Sequence, residues 1–164
     1  MLYVILTLAL IAADQLVKFL VRANIDLNTT VPFLPHVLDL TYVKNTGAAF
    51  SLFKDHTWLL TLISAVVAVV ILAAMFRKIL RHPVGMTCLS VVLAGAVGNL
   101  IDRLFMGYVT DMFQTVFMEF AVFNVADICI VLGGIATCVY ILFFYDKLEK
   151  QGKETTHGDA PADR

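Results

Sequence analysis

Charge is scarce in this chain. Its 164 residues include 12 Lys and Arg and 13 Asp and Glu, 15% in all, whereas 60% are hydrophobic. Mean hydropathy is +0.85. An ordinary soluble domain carries more charge and fewer apolar residues, so a polytopic membrane protein fits better. A net charge of −1 and no basic stripe leave no general attraction to nucleic acid. Cysteine is sparse too: Cys88, Cys129 and Cys138 all lie in apolar runs, with no CxxC and no Cys/His metal spacing. Cys129 and Cys138, on one helix, are roughly 13 Å apart, too far to bridge. Histidine is missing where a metal site would want it, because His36, His56, His82 and His157 stand away from the acidic motifs. No glycine-rich phosphate loop occurs. Nothing marks Ser51 and Lys54 as a nucleophile and its base, and Cys88 with His82 belongs to the end of the bundle away from the polar cluster.

What is abundant is long apolar sequence. Leu2–Val21, Trp58–Phe76, Val84–Met106 and Ala121–Phe144 each approach the ~20 residues needed to cross a bilayer. The first run has no basic segment before it and continues through Leu16, Val17, Phe19 and Leu20, so it reads as a retained span and not as a cleaved signal peptide. Residues 1–146 are expected to form one four-span unit. Residues 147–164 are polar and are expected to be a disordered cytoplasmic tail. Arg77, Lys78 and Arg81 in one short loop, and Lys147, Lys150 and Lys153 in the tail, place both termini in the cytoplasm.

Seven polar residues interrupt the spans. Asp14 and Lys18 lie late in the first, Asn99, Asp102 and Arg103 late in the third, and Asn124 and Asp127 early in the fourth. With four crossings, all seven collect at the outer end of the bundle. A buried ionisable group costs about 2.5–3.5 kcal/mol even on the lenient insertion scale, so their convergence predicts a polar cavity facing the outer leaflet. The first loop is about 35 residues long. Within it "VLDLTYVKN" alternates with strand periodicity, Pro32 and Pro35 punctuating its approach, and "YVTDMF" also reads as extended. A small sheet beside the bundle follows, with Phe113, Phe117, Phe120 and Phe123 at the interface.

Five motifs bear on chemistry, and each permits a plainer reading. "DQLVK" sets Asp14 and Lys18 four apart on one helix face, either as a neutralising ion pair or as ligand contacts. "KNTGAAF" brings Asn45 and Gly47 into a loop that is either a plain turn or a place of close ligand approach. "GNLIDR" aims Asn99 and Arg103 the same way and Asp102 elsewhere. Arg103 can snorkel to the interface, meet a lipid phosphate, or hold a carboxylate. "VTDMF" and "FNVAD" supply Asp111 and Asp127, sixteen residues apart on a hairpin that can bring them together. Asn124 followed by Asp127 also matches a helix cap and its acidic N3 residue. Two close carboxyls in a low-dielectric site share one proton, and such a pair hydrolyses an amide without a metal or a nucleophilic side chain. A proton-coupled transporter is the rival class, but the inner half of the spans is nearly all apolar. A non-enzymatic assembly subunit would tolerate Asp→Asn at both positions.

In this order and spacing, "DQLVK", "KNTGAAFS", "GNLIDR", "VTDMF" and "FNVAD" resemble the bacterial lipoprotein signal peptidase family, signal peptidase II, over residues 10–144. The resemblance implies four transmembrane helices, a small outer-face sheet and an interfacial helix. It implies an inner-membrane aspartyl peptidase, with no cofactor, that cuts diacylglyceryl-modified prolipoproteins just before the lipidated cysteine. Asp111 and Asp127 would be catalytic. Asn45, Gly47, Asn99, Arg103, Asn124 and Ala126 would contact substrate, with Asp14 and Lys18 supporting them. Membrane phospholipid, globomycin-type inhibitors and a monomeric state belong to the same expectation. Met112 stands where many members have Phe, a bulky apolar exchange. A covering loop, "FSLFKDHTW", is expected from its Phe50, Phe53 and Trp58.

Overall fold

A computed structural model describes residues 1–47 and 57–148. Four helices in it are long and apolar enough to cross a membrane: α1 (Leu2–Asn24), α2 (Thr57–Phe76), α3 (Pro83–Met106) and α4 (Val125–Val139), the last running through a π-helical turn at Tyr140–Phe144 and on to Leu148. Their apolar side chains mostly face outward, as they must where the solvent is lipid. Half of the α3 span is buried, against 11–22% in the other three. Helix α3 is therefore the central element, packed on α1, α2 and α4. Its small residues permit this. A Cβ on Gly98 would stand 2.7 Å from Asp14 Oδ2 and 3.2 Å from the Ala126 side chain, so glycine here lets α1 and α4 close on α3. The ends of α3 are written in its sequence: Pro83 opens it beneath a cap in which His82 Nδ1 accepts the Val84 N–H, and Gly107, at φ 75°, closes it.

Strands β1 (Thr30–Leu34), β2 (Leu38–Asn45) and β3 (Val109–Thr115) form one antiparallel sheet in that order. The two expected strands are β2 and β3. The third arises where Pro32 and Pro35 read as punctuation. Pro32 is accommodated because β1 is an edge strand. The pairing of β2 with β3 sets Val43 opposite Asp111 and Asn45 opposite Val109, with a register shift between Leu40 and Val43. That shift breaks the alternation, so Thr41 and Tyr42 are both buried. Met112, fully buried, packs with Val21 and Tyr42 where the sheet meets the end of α1.

Three expectations are corrected. The fourth span begins at Val125 and not at Ala121, because Asn124 is the helix cap and Phe123 bonds to Phe113 of β3. The first span continues to Asn24. Helix continues through Leu148, two residues past the expected tail boundary. Among the described residues no separate interfacial helix occurs. The covering loop, apart from its end at Trp58 in α2, and residues 149–164 of the tail lie outside the described residues.

Candidate active site

The expected polar residues converge at one end of the bundle, in two connected layers. The inner layer centres on Lys18. Its Nζ lies 2.9 Å from Asp14 Oδ2 and 3.3 Å from Asp102 Oδ2, and donates to Asn99 Oδ1 at 3.0 Å. All three charged side chains are buried. Asp14 and Lys18 thus form the ion pair, not a cavity wall. Each acid has a second task. Asp14 Oδ1 accepts the Ala126 N–H at 2.9 Å, capping the first turn of α4 from α1. Asp102 Oδ2 accepts the Thr110 N–H at 2.9 Å, fixing the start of β3 from α3. Gln15 Nε2 ties the two acids together, reaching Asp14 Oδ2 at 3.2 Å and Asp102 Oδ1 at 3.1 Å. Residues Gln15, Asp102 and Thr110 were not singled out by their sequence context as supports. The signal for Gln15 was its place between two singled-out residues' turns in "DQLVK".

The outer layer holds Asp111 on β3 and Asp127 on α4. Asn124 joins them. Its side-chain Nδ2 donates to Asp111 Oδ1 at 2.6 Å, and its backbone N–H donates to Asp127 Oδ2 at 3.1 Å. Asn45 Nδ2 donates to Asp111 Oδ2 at 2.8 Å, and Asn99 Nδ2 to Asp127 Oδ1 at 2.7 Å. Every carboxylate oxygen therefore accepts one bond and keeps acceptor capacity for another. The three amides cannot turn over. Their oxygens are engaged by the Gly47 N–H, by Lys18 and by the Asp127 N–H, so only their NH₂ groups can face the acids. Asn124 with Asp127 is also a complete capping box. The cap reading and the acid-pair geometry hold together.

Burial pushes the Asp111 carboxyl up to about 7, with the neighbouring Asp127 adding to the rise and the Asn45 and Asn124 donors opposing it. At neutral pH this group is poised between its two protonation states, which is what proton exchange requires.

A cavity of about 530 Å³ opens on the pair, lined by Asn45, Asn99, Arg103, Asp111 and Asp127 together with apolar residues of α4 and of Phe120–Phe123. Arg103 is the cation on this wall. Its Nη1 donates to Ser64 Oγ of α2 at 3.3 Å, and its buried Nε has no partner. Among the described residues it makes no ion pair, so it does not hold a carboxylate. Ser64 was missed because a lone serine in an apolar helix carries no pattern. Gly47, Asn124 and Ala126 do not line the cavity. Gly47 orients Asn45, Asn124 bridges the acids, and Ala126 is packed against Gly98. Among the described residues no group of three His, Cys, Asp or Glu side chains could hold a metal ion.

Comparison with known proteins places the chain in a family. A family model described as signal peptidase (SPase) II matches residues 6–143. The lipoprotein signal peptidase of Enterococcus faecalis is 43% identical over 94% of this chain and 96% of its own length. That of Clostridioides difficile is 38% identical over 90% and 99%. A bacterial membrane enzyme solved by the in meso method superposes with a TM-score of 0.78 at 22% identity, covering 99% of this chain and 94% of that one, which extends the likeness to the fold. With four spans, a sheet at their end and a matched family model over most of its length, the chain belongs to the signal peptidase II family of multi-pass membrane peptidases.

Proposed function

We propose that the protein is an aspartyl endopeptidase that removes the signal peptide from diacylglyceryl-modified prolipoproteins, cutting on the amino side of the lipidated cysteine. The observation that carries the chemistry is the bridge made by Asn124 between Asp111 and Asp127 at the wall of one cavity. Asp127 takes a proton from water as the water attacks the scissile carbonyl, while Asp111, protonated, donates to the carbonyl oxygen. The tetrahedral intermediate then collapses. The proton gained by Asp127 goes to the leaving amine, and Asp111 recovers its own. No metal or cofactor takes part.

The site works at the outer leaflet of the bacterial inner membrane, both termini lying in the cytoplasm, and the enzyme acts as a monomer. Arg103, engaged by Ser64 and, among the described residues, by no carboxylate, offers its guanidinium to a phospholipid phosphate at the cavity mouth. Globomycin-type inhibitors occupy the same space.

Purified protein given a diacylglyceryl-modified precursor cleaves it, as read by gel shift. Asp111→Asn and Asp127→Asn each lower the rate by at least about 10²–10⁴-fold, the span expected for a lost acid or base, with expression and insertion unchanged. Full activity in either variant ends the dyad reading. A chelator leaves the rate unaltered.

A further inference from the structure

One stretch of the cavity wall has main-chain groups that bond nothing among the described residues. Phe123 is committed to β3: its carbonyl accepts the N–H groups of Met112 at 3.1 Å and Phe113 at 2.8 Å, and its N–H donates to Phe113 O at 3.1 Å. Asn124, next along, is extended (φ −130°, ψ −179°). In extended chain the polar groups of successive residues point to opposite sides. Because Phe123 turns its own N–H and C=O to β3, extended chain at Val122 directs that residue's N–H and C=O off β3, and Ala121 and Val122 themselves line the cavity. Neither Ala121 nor Val122 makes a main-chain hydrogen bond among the described residues. The first turn of α4, two residues on, is satisfied by Asp14 and Asn124. The unpaired edge is thus confined to the cavity side.

We propose that Ala121–Val122 is a docking strand for the substrate main chain, on which the signal-peptide residues just before the cut lie as an added β-strand. This rests on the peptidase reading above. Position argues for that occupant. The paired partner of Phe123 lies two residues beyond Asp111, and Asn124 follows Phe123, so a strand alongside Val122 shares the cavity with both acids. Chemistry argues for the amino side of the cut. The residue on the other side carries two acyl chains that need lipid. The signal peptide arrives as a helix and must unwind, freeing N–H and C=O groups that need partners at membrane depth. Val122 supplies one donor and one acceptor of the required kind, as in other cases of strand addition.

The test uses the full-length enzyme and diacylglyceryl precursors N-methylated singly at each of the three residues before the cut. Strand pairing makes the response alternate: kcat/KM falls by about tenfold or more where the substrate N–H faces Val122, and by no more than about twofold at the adjacent residue. Val122→Pro, which deletes the donor, lowers kcat/KM by about tenfold without altering thermal unfolding. Equal cleavage of all three methylated precursors, or equal loss at all three, overturns the docking strand. So does wild-type kcat/KM in Val122→Pro. If Val122→Pro fails to fold, the substrate series decides alone. Failure of the unmethylated precursor to be cleaved at all removes the peptidase reading and this pairing with it, and so is distinct from a flat methylation series.

Discussion

Two pairs of carboxylates sit at the same end of this bundle and are handled in opposite ways. Asp14 and Asp102 flank the Lys18 ammonium, are sealed from the cavity, and spend their remaining oxygens on backbone N–H groups of α4 and β3. Among the described residues, Asp111 and Asp127 receive only neutral donors, three asparagine side chains and one main-chain N–H, and they face open space. Residue type is the same in both, and each pair lies largely out of solvent. A cation in contact binds the first pair together and makes it scaffold. Without one, the second pair is free to keep a proton. The first pair also builds the second, since the elements it pins are the ones that carry Asp127 and Asp111.

Four changes break or sharpen this contrast. Lys18→Met leaves two buried acids uncompensated, and thermal unfolding in detergent should show a loss of about 3–5 kcal/mol, the usual consequence of removing one partner from a buried ion pair. Asn45→Lys does the reverse, bringing a cation to Asp111 and making the second pair resemble the first. Cleavage at neutral pH should fall by about a hundredfold or more, with the unfolding temperature held. Gly98→Ala puts a methyl group 2.7 Å from Asp14 Oδ2. Unfolding measurements should report about 1–3 kcal/mol of overpacking, with part of the activity lost as the Asp14 bond to α4 is strained.

The smallest effect is on pH. Asp111 titrates at about 7, above its ordinary 3.8. Its proton is therefore held below neutrality, and the cleavage rate should decline as pH rises through about 7. Asn45→Ala removes a donor that favours the charged form, so the carboxyl rises further. The alkaline limb of the rate profile should move to higher pH, by about one unit. A limb that stays in place, or moves downward, separates Asn45 from Asp111.

Much of this was legible in the sequence because the bilayer makes polar residues expensive. Seven interruptions in three of the four apolar runs pointed to one polar end of the bundle, and the N–x–x–D pattern at Asn124 and Asp127 marked both a helix start and an acid. That same pattern contradicted a fourth span drawn from Ala121, since hydropathy does not distinguish a greasy extended segment from a helix. The alternation in Leu38–Asn45 identified β2, whereas β1 was hidden by Pro32, whose cost vanishes at a sheet edge. Asp102 was seen to point away from Asn99 and Arg103, but its partner, a main-chain N–H at Thr110, has no side-chain signature. Ser64 was unreadable for a similar reason: its meaning comes from Arg103, thirty-nine residues later.

The bond between Asp14 and the Ala126 N–H spans 112 residues of chain. It joins the first helix to the first turn of the fourth. Asp127 directly follows Ala126, so it stands on the helix turn that this bond holds in place. Loss of that one bond would release the start of the fourth helix from the first, and with it the position of the carboxylate that follows.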